Sequence, residues 1–227
     1  MKRPMLIAVL ATGTALTLGM VAWTQVRNDA GTATGPVPTA VLLTPTREQA
    51  AARDAALKDP VTDRLRRGMT QDPRTRTMLA QINASTVPVL GPIDPALMTT
   101  AFFVSGDRHY MLVVERDGQV IEIYGTTRAF QSSAPATTRP APPATSAPTS
   151  ARRRSVVPTA ALRQAQAAGM SDMQIEPTEY GTDVAFSRFG AAYNVSFICE
   201  GPGSPGCTPA EALAFAAELR LIGGGGQ

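Results

Sequence analysis

Residues 132–150 divide this chain: apart from Arg139 the stretch is Ser, Ala, Pro and Thr throughout, with no apolar period that a core could use. It reads as a disordered linker, so whatever folds does so on either side of it. Both sides follow one plan, helix-forming residues first and then three runs of alternating apolar residues.

On the N-terminal side, residues 47–58 are rich in helix formers behind a Thr46 cap and are interrupted by Pro60. Residues 61–69 and 74–82 read as further short helices. Pro88 and Pro92 then argue for an edge or extended segment over 86–92. From Met98 the period changes to two, and 101–104, 110–115 and 120–124 read as strands, with Asp117-Gly118 as a hairpin signal. On the C-terminal side, residues 159–168 form a helix stopped by Gly169, and strands follow over 173–180, 183–189 and 192–199. The last helix is the best marked: Thr208 is its cap, Pro209 its first residue and Glu211 completes a capping box, with an apolar stripe of Leu213, Ala217 and Leu221. Residues 223–226 read as a frayed glycine tail.

The expected fold is therefore α+β, two small antiparallel β-meanders each packed with helices, behind an N-terminal hydrophobic helix. The expected organisation is a leader over 1–24, an extended tether over 25–45, a first lobe over 46–131, the linker over 132–155 and a second lobe over 156–227. At an offset of 83 residues, 101–118 lies over 184–201 and matches Phe103 with Phe186 and Tyr110 with Tyr193. Internal duplication is one reading of this match and a recurrent hairpin pattern the other. Phe103, Tyr110, Phe186 and Tyr193 are the candidate binding face.

Address is the firmest functional statement. Residues 5–23 are uncharged and largely apolar behind Lys2 and Arg3, the pattern of an export signal or a membrane anchor. The run just suffices to cross a hydrocarbon core of about 30 Å, and no good cleavage site follows it. An uncleaved inner-membrane anchor with a periplasmic body is the first expectation, cleavage and release to the periplasm the second. In such an oxidising compartment the two cysteines, Cys199 and Cys207, should pair. The spacing is not that of a C-x-x-C redox pair, and a zinc site would need further ligands from a chain with one histidine.

Charge does not support a nucleic-acid surface. Residues 43–131 hold 11 Lys and Arg against 10 Asp and Glu, and residues 155–227 hold 3 against 7, so the basic surplus sits in the leader and in Arg152-Arg153-Arg154 at the linker's end. Ser105, Asp107 and His109 lie within five positions, but neighbours on a strand point to opposite faces and do not converge as a triad must. No metal or cofactor motif is present, and none is expected to be needed. The reading is a non-enzymatic envelope module that binds an envelope protein or polymer. The alternative is an envelope hydrolase using His109 with Asp107 or Glu115.

Overall fold

A computed structural model describes residues 39–131, 157–199 and 206–226. The leader, most of the tether, the linker and Arg152-Arg153-Arg154 lie outside the described residues. No described helix is long and apolar enough to cross a membrane.

Strand β1 (Thr39–Leu42) is followed by helices α1 (Arg47–Leu57), α2 (Pro60–Met69) and α3 (Pro73–Ala84). Thr46 and Gln49 close a capping box at the start of α1. The next two helices begin on Asp-Pro: Asp59 and Asp72 accept from backbone amides of the first turn, and each proline occupies a position whose own N–H would have no partner. Short strand β2 (Val89–Gly91) leads to α4 (Pro95–Thr100), which again starts on Asp-Pro with Asp94 as cap. The first meander comprises β3 (Phe102–Gly106), β4 (His109–Arg116) and β5 (Gln119–Thr126), and β6 (Arg128–Gln131) ends the half. The second half holds α5 (Thr159–Ala167), the meander β7 (Ser171–Pro177), β8 (Gly181–Arg188) and β9 (Ala191–Ile198), then α6 (Pro209–Glu218) and β10 (Arg220–Gly223).

The chain is α+β with antiparallel sheets, as the sequence pattern implies. The meanders join third strand to third strand in one six-stranded sheet of order β3-β4-β5-β9-β8-β7. At the junction Ile121 pairs with Phe197, Ile123 with Val195 and Gly125 with Tyr193. The Asp117-Gly118 and Phe189-Gly190 turns both have positive φ at each central residue, the backbone hand that matches strand twist.

One face of this sheet is buried under a helical layer. Strand β4 alternates Tyr110, Leu112 and Val114 inward, β5 answers with Ile121 and Ile123, and β9 with Tyr193, Val195 and Phe197. Helix α6 packs on the second meander, with Phe215 edge-on to Phe197 at 5.4 Å, while α3 and α4 lie against β3 and β4.

Two segments depart from expectation. Residues 39–42, placed in the tether, form β1 and pair with β6 from Leu42↔Arg128 to Thr39↔Gln131, because an extended Ala-Val-Leu stretch offers β6 a backbone partner. The last helix stops at Glu218, and Leu221 belongs to β10, which pairs with β2. Leu221 and Ile222 are adjacent yet both buried, since β10 is enclosed between the sheet and α1, α2 and α3. The glycines that follow are not frayed: Gly225 donates its N–H to the Ser85 carbonyl at 3.0 Å and accepts from the Arg53 guanidinium at 2.6 Å.

Cys199, just past β9, and Cys207, just before the Thr208 cap of α6, form a disulfide with their Cα atoms 6.5 Å apart. Buried Thr182 donates to the Cys207 carbonyl at 2.9 Å, so α6 starts at a fixed point on the sheet. Reduction should lower unfolding stability by about 2.5 kcal/mol through the freed loop entropy, measured as urea midpoints of the oxidised and reduced protein; identical midpoints would contradict this.

Candidate functional site

Phe103, Tyr110, Phe186 and Tyr193 do lie on one face of the sheet, but it is the buried one. Across the strands Ser105 pairs with Tyr110, Tyr110 with Gly125, Gly125 with Tyr193 and Tyr193 with Phe186, so two rings flank a residue without a side chain. A Cβ on Gly125 would collide with the Tyr110 ring. Phe103 lies 5.8 Å from the Tyr110 ring and Phe186 stacks on Tyr193 at 5.3 Å. What the two tyrosines bind is β2 and the residue before it: the Leu90 N–H donates to the Tyr110 hydroxyl at 2.9 Å, and the Tyr193 hydroxyl donates to the Pro88 carbonyl at 2.9 Å. As a candidate external face they are therefore corrected to a core clasp. They share the parity of Leu112 and Val114, and that parity goes inward.

The residues of the hydrolase alternative do not converge. His109 and Glu115 stand at opposite ends of the eight-residue β4, about 20 Å apart at the usual strand rise. The His109 ring nitrogen Nδ1 is 3.2 Å from the Asp107 backbone carbonyl, while the Asp107 carboxylate faces solvent 3.8 Å from Arg108. His109 stacks loosely on Tyr124, their ring centres 6.2 Å apart, and lines none of the described cavities. Among the described residues no group of three or more His, Cys, Asp or Glu is placed to hold a metal ion.

The opposite face of the sheet carries the surface that sequence reasoning missed. Its rows run Phe102–Val113–Glu122–Ser196–Asp183–Glu176 and Val104–Met111–Tyr124–Asn194–Ala185–Gln174, with Glu115–Val120–Ile198 at one end. Phe102 is 58 % exposed, Val104 43 %, Tyr124 40 % and Ile198 41 %, and Met111 and Val113 are half-buried between them. The other large apolar side chains exposed among the described residues, Leu42, Val61, Ile93 and Tyr180, are scattered over separate elements. On the second meander the same face turns polar. Over both meanders the strand positions of this face include Glu115, Glu122, Glu176 and Asp183 and no Lys or Arg. The signal was present in the sequence: Phe102, Phe103 and Val104 are consecutive, and a strand that is apolar on successive residues is apolar on both faces.

At the hairpin end of the sheet a cavity of about 530 Å³ opens between the β4–β5 turn, the start of α4 and α6. Its floor is Ile93, Leu97, Phe215 and Leu219; its rim is Asp94, Glu115, Asp117 and Glu218 with the single cation Arg116. Glu115 belongs both to this groove and to the end row of the open face. A second cavity, of about 410 Å³, holds Arg188 and Arg220, but both serve α6: Arg188 donates to the Leu219 carbonyl at 3.0 Å and Arg220 to the Ala217 carbonyl at 3.5 Å, where the helix dipole favours a cation. Burial lowers the Arg188 guanidinium to about 10, partly offset by nearby Tyr193 and reinforced by Arg220.

No protein-family profile, curated protein or solved structure matches this chain.

The tyrosine clasp has a pH signature. Burial pushes both phenols well above their ordinary value, at Tyr110 against the opposing pull of the Leu90 amide. An unfolded tyrosine ionises near pH 10 while the folded phenols keep their protons, so their contribution is complete below about pH 10 and falls as pH rises, by about 1.4 kcal/mol per pH unit per tyrosine. Arg188 titrates in the same range with the opposite sign, so the diagnostic quantity is the difference between wild type and Tyr193→Phe. Urea denaturation between about pH 9 and pH 11.5 should show a shallower alkaline loss in the variant; parallel curves would remove Tyr193 from the account.

Proposed function

We propose that this is an exported bacterial envelope protein, tethered to the inner membrane through residues 5–23 or released to the periplasm. In this reading it works as a non-enzymatic docking module for another envelope protein. The address rests on the apolar leader behind Lys2 and Arg3 and on the Cys199–Cys207 disulfide, a bond that persists in oxidising compartments. The order of the six strands supports, as part of the same reading, an origin of the two meanders by internal duplication.

The observation that carries the docking role is the gathering of Phe102, Val104, Tyr124 and Ile198 on one open sheet face. Single exposed apolar side chains need no explanation, but a contiguous patch across four strands marks a contact surface. Their neighbours include His109, Asn194 and Ser196 beside other apolar residues and carboxylates, but these polar groups are spread along the strands and form no convergent set of acid, base and nucleophile, which favours binding over catalysis.

The test is site-specific photocrosslinking in producing cells, with the photoreactive residue at Val104 or, as control, at exposed Tyr180 on the β7–β8 turn. A discrete protein adduct is expected from position 104 and not from position 180. Combining Phe102→Asp with a probe at Met111 should abolish the adduct and change folding stability by no more than about 0.5 kcal/mol. Equal labelling from both positions, or recovery of the protein in the cytosolic fraction, would refute the reading.

A further inference from the structure

We infer that the groove at the hairpin end of the sheet receives a lysine or arginine side chain carried on an apolar segment of the docked protein. This rests on the docking role of the open face and names the chemistry of what docks there.

The groove is built for a cation with an apolar stem. Four carboxylates face one guanidinium on its rim, and two of the four are already committed: Asp94 caps α4 by accepting the Ala96 N–H at 2.9 Å, and Asp117 pairs with Arg116 at 3.5 Å. Glu115 and Glu218 have no hydrogen bond or ion pair among the described residues, and both are exposed. An apolar segment covering Ile93 and Leu97 would take water from these two charges, which is costly unless a cation arrives with it. An anion would meet net negative charge. A second copy of this chain would bring the same acidic rim against itself.

The floor points the same way. The Arg116 guanidinium lies 6.0 Å from the centre of the Phe215 ring, so the chain already places one cation of its own over that aromatic face. Phe215 is fixed edge-on by Phe197, and the helix that carries it is capped and tied to the sheet by the disulfide, so the groove wall is preformed. At about 530 Å³ the space fits a side chain with adjoining apolar groups. Glu115 is shared by the groove and by the end row Glu115–Val120–Ile198 of the open face, so a segment lying along that row ends beside the groove. That continuity favours a protein side chain over a free amine.

The test is titration of the full-length protein, followed by amide and methyl NMR shifts, with capped five-residue peptides of Val and Leu around a central lysine, norleucine or glutamate, and with n-hexylamine alone. The lysine peptide should shift Ile93, Phe215 and Leu219 and bind at least tenfold more tightly than the norleucine and glutamate peptides. Glu115→Gln with Glu218→Gln should erase that preference while leaving norleucine binding unchanged. Equal binding of the three peptides, binding of none, or shifts confined to Phe102 and Val104 would overturn the inference. So would hexylamine binding as tightly as the lysine peptide, which would make this a free-amine site. A dimer in sedimentation that dissociates in the double variant would assign the groove to a second copy and overturn it as well. Failure here with the Val104 adduct intact removes the groove's role alone; loss of that adduct removes the docking role itself.

Discussion

The two phenols that bond β2 are the constraint around which the described structure is arranged. Three-residue β2 is too short to hold its place by ladder pairing alone, and it lies inside the core, where an unpaired amide or carbonyl costs about 1–3 kcal/mol. Tyr110 accepts from Leu90 and Tyr193 donates to Pro88, so strand and phenols satisfy one another. The geometry needs Gly125 between them, because any side chain there would fill the space the Tyr110 ring occupies. With β2 fixed, β10 has a partner, and α1, α2 and α3 have an apolar strand to cover.

That arrangement consumes one face of the sheet and leaves the other to water. The inner face is closed by aromatic and aliphatic contacts from both meanders, and the outer face is an uneven surface, apolar over β3 to β5 and acidic or polar over β8 and β7. The carboxylates spread over both halves disfavour pairing of two such faces. The groove repeats the combination on a smaller scale, with an apolar floor and an acidic rim.

Much of this was legible in the sequence where a local signal decides the outcome. The six main strands follow from period-two alternation and the two Gly turns, and the Thr46 and Thr208 caps predict their helices because the side chain that satisfies the first turn is written beside it. The same grammar stands in Asp94-Pro95, where it starts α4, but the helix has only six residues and its apolar period is too short to announce it. Long-range pairing left less trace. Nothing near residues 220–223 says that they will meet β2, so helix propensity favoured extending α6 through Leu221. The aromatic match of the two halves was real as a pattern and wrong as a surface, because alternation tells which residues share a face and not which face meets solvent. The leader and linker are legible only as sequence.

A polypeptide is made from its N-terminus onward, and β10 follows every other described element of this chain. Its partner β2 is made some 130 residues earlier, so the enclosed strand pair cannot close until β10 itself has been made. Until then β2 has its tyrosines only after β9 has formed, and the apolar sides of α2 and α3 lack the strand they cover. The architecture therefore delays its own completion. A chain of this design stays incompletely folded while β10 is still missing, and it acquires its full core only when that strand reaches β2.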